Sequence, residues 1–467
     1  MFQDSNNYPY HTVLKGFQEH IGCGVLMKRV MYDITYAARG KSGIPKDTRS
    51  VAEILLNIDD VELEFVISPK NFVSRYSIGN KLNAVKGSKN INSIFSTSPN
   101  VFWKAPIVTV IRSFIQSISL QPFVKLEEIS KRTLFSVLKQ IGVKQPVNKR
   151  SLRIFMLRIS YAARFARPRF LGPFRIRISG SHFYIQQQID PIKVNRRSKH
   201  IVRLHDVLPI THPYFFSENA QLAFRRGLTS LLSNKKIIWI MDTEASKTEF
   251  LEMFGTDKNV EVIPCEVGYG LNPQMAIQSI KNKNKNKNKN TFLCVNTIEP
   301  RKNVGMIINA FLHSLNKNAK DDLIVIGAFG WMEDELISRL RSGFYGDQVK
   351  FIEKAEEFQV EELLKKADFV ISASEAEGFG LPPLEGMLFG CLPIVSDIPQ
   401  HRETMGSHAI YFSLNEQSLS NAISTARKIS ISERQKLALT AHHYVQNRFS
   451  HAALKKKWIQ LLKKLDS

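Results

Sequence analysis

Two glutamates and a glycine-containing turn form the most informative segment of the chain. Glu377 precedes the turn Gly378–Leu381, and Glu385 follows eight positions after Glu377, behind a Pro-Pro pair. Proline suits the first turn of a helix, and the free N–H groups there attract anions. The pattern predicts one carboxylate on a loop at the mouth of a helix and the other in that helix's first turn. Carboxylates so placed can hold hydroxyl groups at the two ends of one bound diphosphate.

A second candidate element supplies positive charge. The string NTIEPRKN places Arg301 and Lys302 between an apolar strand and a helix. In parallel α/β sheets, ligands bind outside the carboxyl ends of the strands, where helix N-termini also point. Two fixed cations there can neutralise a diphosphate as it becomes a leaving group. The alternative is an ordinary helix start with two exposed basic residues.

Three further strings end predicted strands. IVIGAFGW contains Gly330, and RLHDVLPITHP contains the pair His205 and Asp206. SGIPKDTRS contains Gly43 and Lys46, and we expect it to form a loop before a helix that begins near residue 49. A His-Asp pair also occurs as a purely structural hydrogen bond. We expect no metal site, because no third ligand lies near the pair and no Asp-x-Asp triplet is present.

The remaining pattern predicts an α/β protein with two domains. After residue 290, short apolar runs alternate with helical patterns, which is typical of a parallel sheet covered on both faces. The region before residue 281 shows the same alternation at its two ends, with an irregular insertion at about 70–180 for which we expect helices near 105–118 and 126–141. Between them, KNKNKNKNKN at 281–290 predicts a solvated linker. Two helices are predicted between residues 432 and 465.

Charge divides the chain at the same place. The net charge is +23, and residues 1–290 hold 44 basic and 21 acidic residues, whereas residues 291–467 hold 21 of each. Seven arginines alternate with apolar residues in the segment Arg153–Arg177, which is typical of an interfacial membrane patch. A solvated basic face is the alternative. No helix-turn-helix, zinc-finger or RNP pattern is present, so we do not expect nucleic acid as the partner.

Composition favours a cytoplasmic protein. The N-terminal residues are polar, no apolar run of about 18 residues occurs, and the four cysteines are far apart. We therefore expect reduced thiols. We also expect the protein to be peripherally attached to the inner face of the cytoplasmic membrane.

These strings together resemble the retaining glycosyltransferases of family 4, whose signature is E-x7-E. The resemblance covers EGFGLPPLEG with the following LPIVS and HRE, the EPRKN string, and the H-D-x-x-P element. It implies the GT-B fold: two Rossmann-like domains facing across a cleft, with a C-terminal helix that crosses back to the first domain. Asn296 stands where the family usually has glycine, and the residues after Gly43 differ from the family pattern.

The resemblance also implies roles for individual residues. It assigns the catalytic roles to Glu377, His205 and Asp206. It assigns donor binding to Arg301, Lys302, Glu385, Gly378, Phe379, Gly380, Leu381, Gly330 and Gly43. No cofactor or metal is implied, since the nucleotide-diphosphate sugar is a substrate.

The implied activity is hexose transfer to a glycan or a polyprenyl-diphosphate-linked acceptor. The variants present here are similar to those of mannosyltransferases of bacterial surface polysaccharides, including O-antigen, so we favour GDP-mannose as donor. A sugar-nucleotide epimerase of the same fold and a non-catalytic scaffold protein are the alternatives. The intact charged residues argue against the scaffold.

Overall fold

The computed structural model describes residues 27–38, 43–67 and 182–467, apart from short gaps at 188, 191, 195–196, 272, 284–288, 316–319 and 331–332. Between residues 67 and 182 it describes four short strands. Two large sheets, one mostly and one wholly parallel, dominate these residues, and each forms the centre of one domain.

The N-terminal domain is built on an eight-stranded sheet in the order β11-β10-β9-β7-β1-β2-β5-β4. All neighbours are parallel except β4 and β5. Its strands are β1 (Lys28–Asp33), β2 (Val61–Ile67), β4 (Leu126–Ile129), β5 (Arg153–Leu157), β7 (Phe183–Gln187), β9 (Lys199–Arg203), β10 (Ile238–Met241) and β11 (Asn259–Val262). A small parallel sheet consists of β3 (Phe123–Val124), β6 (Phe174–Ile176) and β8 (Ile192–Val194). The helices are α1 (Ile44–Leu56), α2 (Leu208–Thr211), α3 (Glu218–Leu232) and α4 (Glu244–Phe254).

The C-terminal domain is built on a six-stranded parallel sheet in the order β14-β13-β12-β15-β16-β17. Its strands are β12 (Thr291–Val295), β13 (Asp322–Gly327), β14 (Val349–Glu353), β15 (Phe369–Ser372), β16 (Leu392–Ser396) and β17 (Ile410–Phe412). The helices are α5 (Pro273–Asn282), α6 (Val304–His313), α7 (Asp334–Arg341), α8 (Glu357–Lys366), α9 (Leu381–Leu388), α10 (Pro399–Met405), α11 (Glu416–Lys428), α12 (Ile431–Phe449) and α13 (His451–Asp466). The strands are apolar because helices cover both faces of the sheet.

The last two helices connect the domains. Ser450 lies between α12 and α13, and its side-chain oxygen accepts a hydrogen bond from the Ala453 amide, which starts α13. Phe449 at the end of α12 belongs to the C-terminal core. Trp458 of α13 is fully buried in the N-terminal core. The predicted helix that crosses back to the first domain is therefore confirmed, as is the two-domain α/β fold.

Two local predictions are wrong. The segment Leu126–Ile129 is a strand paired with β5, although we expected a helix at 126–141. Helix α1 begins at Ile44, so Lys46 lies in its first turn and not in a loop. Gly43 precedes the helix and Pro45 occupies its first turn, where a missing N–H costs nothing. The helix predicted at 105–118 lies outside the described residues.

The lysine-asparagine tract is not wholly solvated. Helix α5 runs into it, and the buried Lys283 ammonium donates hydrogen bonds to the carbonyls of Leu364 and Phe389 at 3.1 and 2.9 Å. Ile280 of α5 packs in the C-terminal core. The domain boundary at 281–290 stays a prediction.

Within the described residues, no helix is both long and apolar enough to cross a bilayer. Cys265, Cys294 and Cys391 are buried free thiols. Most of the segment Arg153–Arg177 lies outside the described residues, so its contact with a membrane stays a prediction.

Candidate active site between the two domains

Glu377 lies in a pocket of opposite charge at the carboxyl ends of β12 and β15. One carboxylate oxygen accepts a hydrogen bond from Lys302 and another, at 2.6 Å, from the Ser374 hydroxyl. The other oxygen contacts Arg301 Nη1 at 3.1 Å. All of these groups belong to the C-terminal domain. The two cations and the first signature glutamate, which are about 75 positions apart in the chain, thus form one cluster.

The two cations keep Glu377 ionised. Burial alone would raise the pKa of this carboxyl, but the charges of Lys302 and Arg301 outweigh it and hold the pKa far below its usual range. Glu377 therefore carries a negative charge at any physiological pH. It is therefore a charged hydrogen-bond acceptor there and not a proton donor.

Local backbone geometry places the cations. Arg301 and Lys302 form a single 3-10 turn after β12, and Asn303 ends it with φ 49° before α6 begins. The Arg301 guanidinium also contacts Glu299 at 2.6 Å, which fixes its direction. This confirms the predicted position of both cations at a helix start, while their contact with a diphosphate is a matter for the proposal below.

Glu385 contacts the opposite domain. Lys46 of α1 donates a hydrogen bond to Glu385 Oε1 at 2.9 Å and lies 3.2 Å from Glu357 Oε1. Helix α9 begins at Leu381, so Glu385 is its fifth residue and lies in the second turn, not the first as predicted. Burial opposes the charge of Lys46, but the two carboxylates raise its pKa above the usual value. The contact joins the two domains at the second signature glutamate.

The glycine turn meets the His-Asp pair directly. A Cβ on Gly378 would lie 2.9 Å from the His205 carbonyl oxygen and 3.2 Å from Asp206 Oδ2, so only glycine permits this approach. Asp206 Oδ1 accepts a hydrogen bond from the Leu208 amide at 3.1 Å. Burial raises the pKa of Asp206, against the opposing effects of that amide and of Arg301. The structure therefore brings the two strings together, one from each domain.

The other residues of the glycine turn, Phe379–Leu381, also shape the backbone and the core. Gly380 has φ 85°, a conformation that favours glycine, and it precedes α9. The Phe379 ring is buried and packs edge-on against Phe449 at 5.3 Å between centroids. The side chain of Phe379 thus belongs to the core, and only its backbone is left for a ligand. Leu381 is half-buried at the helix start.

The two remaining glycines lie at strand or helix ends. Gly330 follows β13, and its amide donates to the Ile298 carbonyl at 3.0 Å. Gly43 precedes α1. An open pocket of about 600 Å³ lies next to the β13 end, and its lining includes Phe329, Arg341 and Glu353.

Behind the His-Asp pair lies a buried ionic cluster that the sequence analysis did not identify. Arg203 of β9 is fully buried and binds both oxygens of Asp47, at 2.6 and 2.8 Å. Its Nη2 also lies 3.0 Å from Asp242 Oδ1. It donates further to the carbonyls of Ile263 and Pro264. One guanidinium thus neutralises carboxylates from α1 and from the end of β10.

His205 belongs to the same cluster. Its Nδ1 lies 2.7 Å from Asp242 Oδ2, and its Nε2 lies 3.8 Å from Asp47 Oδ2. Asp47, His205 and Cys265 are close enough together to suggest a cation site. However, Arg203 already supplies the cation, and burial raises the pKa of the Cys265 thiol, which disfavours the thiolate that a metal needs. The cluster fits a hydrogen-bonded ionic network better than a metal centre.

Other contacts close the space between the domains. Tyr214 OH donates to Glu375 Oε1 at 2.8 Å. Glu403 of α10 accepts hydrogen bonds from the amides of Glu244 and Ala245, at 2.7 and 2.8 Å, at the start of α4. A carboxylate at a helix N-terminus is favourable. These residues gave no recognisable signal in the sequence, although Glu403 belongs to the HRE string.

The arrangement defines a GT-B protein with its charged residues between the two domains. Residues 276–442 match the family model of glycosyl transferases group 1. The matched part contains Glu377, Glu385, Arg301 and Lys302.

Curated relatives align with about half of the chain. The serotype-specific mannosyltransferase WbdA of Escherichia coli is 26% identical over 229 residues, which are 45% of this chain and 27% of the relative. The O-antigen chain mannosyltransferase B of Escherichia coli is 22% identical over 241 residues, which are 51% of this chain and 61% of the relative. The chain thus spans about a quarter of WbdA.

Solved structures extend the likeness to nearly the whole chain. The Anabaena protein HepE, crystallised with UDP and glucose, aligns with a TM-score of 0.56 and 13% identity over 94% of this chain and 100% of its own. Sucrose-phosphate synthase of Thermosynechococcus elongatus aligns with a TM-score of 0.60 and 14% identity over 94% of this chain and 99% of its own. At such identities the likeness establishes the fold alone.

Proposed function

We propose that this protein is a retaining glycosyltransferase that moves a hexose from a nucleotide-diphosphate sugar to a glycan or lipid-linked acceptor. The observation that carries the proposal is the cluster of Glu377 with Arg301 and Lys302 at the carboxyl ends of the strands. The group 1 domain and the mannosyltransferase relatives support the reaction class. We favour mannose from GDP-mannose, for synthesis of a surface polysaccharide such as O-antigen.

The two cations would stabilise the leaving diphosphate. Both are now paired with Glu377, so donor phosphates would share them with this carboxylate. Because they are fixed and largely shielded from water, their attraction for a developing negative charge is stronger than in solution. They supply the positive charge that a divalent ion would otherwise supply, and we therefore propose a reaction without metal.

Glu377 would act on the sugar. Its permanent negative charge would stabilise the positive charge that develops on the sugar ring as the diphosphate leaves. Glu385 would hold the ribose hydroxyls, exchanging its contact with Lys46 for them or sharing it. The acceptor hydroxyl would then attack on the face that the diphosphate leaves, with a phosphate oxygen taking its proton.

The acceptor would enter from the N-terminal domain, where His205 and Asp206 meet the glycine turn. The excess positive charge of this domain suits a polyprenyl-diphosphate-linked acceptor at an anionic membrane surface. Neutralising four arginines between Arg153 and Arg177 should reduce co-sedimentation with anionic liposomes. Unchanged sedimentation would contradict the membrane contact.

The first test is a thermal-shift series with GDP, UDP, dTDP and ADP and the matching sugar nucleotides, with and without EDTA. A ligand at 100 times its Kd should stabilise by about 2.7 kcal/mol, which raises Tm by a few degrees. One base should give this shift, and Arg301→Ala should lose it. Arg402→Ala is the control, since Arg402 pairs with Asp397 on the surface of the same domain.

The stabilising sugar nucleotide should then be incubated with and without a polyprenyl-diphosphate-linked glycan, and the products identified by mass spectrometry and NMR. Transfer to the acceptor supports the proposal. Conversion of the sugar nucleotide into an isomeric sugar nucleotide without any acceptor would instead identify an epimerase. The absence of any nucleotide-dependent shift would refute a functional donor site.

A further inference from the structure

One ring nitrogen of His205 has a hydrogen-bond partner, and the other has none among the described residues. Nδ1 lies 2.7 Å from Asp242 Oδ2, and both residues are more than nine-tenths buried. Nε2 is also buried and has no hydrogen-bond partner among the described residues. Its nearest ionic neighbour, Asp47 Oδ2, is 3.8 Å away, which is too far for a hydrogen bond. An unpaired nitrogen in this position is costly unless a ligand completes it.

The charges around the ring favour its protonated form. Two carboxylates lie near the ring: Asp47 on α1 and Asp242 at the end of β10. Arg203 on β9, two residues before His205, pairs with both carboxylates. Cys265, which follows β11, contributes a thiol that donates to Asp242 at 3.3 Å, and Asp206 is the next residue. Two carboxylates therefore face one guanidinium. A protonated His205 balances the charge of these two carboxylates.

We propose that Asp242 is a positioning residue: it holds His205 as an imidazolium, with Nδ1–H bonded inward and Nε2–H offered to an oxygen of the bound donor. The identity of that donor rests on the proposed function. The His205 carbonyl oxygen lies against Gly378, directly after Glu377, so this residue borders the glycine turn at its backbone.

The balance of interactions agrees with this assignment. Burial lowers the pKa of His205, but the charge and hydrogen bond of Asp242, together with Asp47, raise it above the ordinary value in total. The pKa of a buried histidine without a carboxylate partner shifts in the opposite direction. Burial lowers the pKa of His200, on the same strand as Arg203, to about 3.

The test is the pH profile of kcat/KM for Asp242→Asn. Asparagine keeps the hydrogen-bond acceptor but removes the charge. Because the imidazolium is the active form, activity is lost as pH rises through the pKa of His205. Removal of a neighbouring opposite charge lowers that pKa by about 1–3 units, so the alkaline limb should move down by a similar amount.

Gln186→Leu is the matched control. Gln186 Oε1 lies 2.8 Å from Nε2 of the buried His200, so the change also removes the partner of a buried histidine. It should lower stability without moving the alkaline limb. An unmoved limb in Asp242→Asn, or an equal movement in both variants, would overturn the proposal.

A second measurement does not depend on turnover. Histidine labelled with ¹⁵N, with His205→Gln to assign the signal, reports the protonation of each ring nitrogen by NMR. Wild-type His205 should keep Nδ1–H throughout and lose the Nε2 proton only above pH 6.5. A neutral ring protonated on Nε2 at pH 7 would overturn the proposal. If no sugar nucleotide is turned over, the proposed function fails, and the NMR result still decides the role of Asp242.

Discussion

The two sides of the space between the domains achieve charge balance in different ways. On the C-terminal side, Glu377 shares two cations that stand next to each other in the chain. On the N-terminal side, Arg203 joins Asp47 and Asp242, whose positions are nearly 200 residues apart. The first cluster keeps about a tenth of its side-chain surface accessible, whereas the second is almost completely buried.

This difference separates two tasks. A cluster with some access to solvent can exchange one of its ion pairs for a ligand's phosphate or hydroxyl group. A fully buried cluster cannot, since an unpaired charge left inside costs several kcal/mol. In the proposed function, the C-terminal side would bind the donor and the N-terminal side would hold His205 in place. Each of the following variants tests one part of that contrast.

Arg203→Met should have the largest effect, on stability. It leaves two buried carboxylates without their shared cation, and breaking a buried pair in this way costs about 3–5 kcal/mol. Urea denaturation measures the free energy of unfolding. Arg301→Met is the comparison, because its partner Glu377 retains Lys302, and it should cost clearly less. Equal losses would remove the distinction between the two sides.

Glu377→Gln should have the next largest effect, on catalysis. Removing one preorganised charge from a transition state commonly costs about 10²–10³ in kcat. Nucleotide affinity, measured by calorimetry, should stay close to that of the wild type. Glu375→Gln is the control, since Glu375 lies two residues earlier and contacts Tyr214. A lost nucleotide affinity in Glu377→Gln would contradict the role assigned to this carboxylate.

Gly378→Ala should have an intermediate effect, because it separates the two sides. The new Cβ would press on the His205 carbonyl at 2.9 Å, and such overpacking costs about 1–3 kcal/mol. Both the free energy of unfolding and the transfer activity should therefore fall. Gly305→Ala, on helix α6, meets its nearest neighbour at an ordinary 4.0 Å and should leave both Tm and activity unimpaired. A Gly378→Ala protein as active as the wild type would show that the contact is dispensable.

The smallest effect concerns pH. His451 at the start of α13 contacts Glu266 at 3.1 Å, and this hydrogen bond raises the pKa of the imidazole above 6.5. The contact should therefore stabilise fully below pH 6.5 and lose its effect as pH rises through the raised pKa. His451→Gln should lower Tm at pH 6 and not at pH 9. In His313→Gln, where the ring is exposed, Tm should change little at either pH.

Much of the C-terminal domain could be predicted from the sequence. Its fully apolar strands have clear bounds, and its charged residues lie in compact strings such as EPRKN. Glu385 was placed one residue too early in the helix, in the first turn instead of the second, because the first helical residue is Leu381 and not Pro382. Ser374, which donates to Glu377, gave no signal, since serine near a strand end is common.

The N-terminal side was harder because its key residues are far apart in the chain. Asp47 and Arg203 both occur in strings that we singled out, yet nothing in either string indicates that the two pair. The pairing arises only when the fold brings the side chain of Asp47, in the first turn of α1, to Arg203 at the end of β9. Asp242 follows a short buried strand, and no recognisable motif surrounds it in the sequence. The strand Leu126–Ile129 was missed because its four residues are too few for an alternating pattern to be recognised.

Helix α13 has a consequence for how the protein is made. Trp458 completes the core that α1 begins, but roughly 400 residues separate the two helices. At a synthesis rate of about 5–20 residues per second, this interval lasts about 20–80 s. During that time the nascent N-terminal domain exposes the apolar face that α13 later covers. A ribosome-bound intermediate of this protein should therefore be a substrate for chaperones until the final helix emerges.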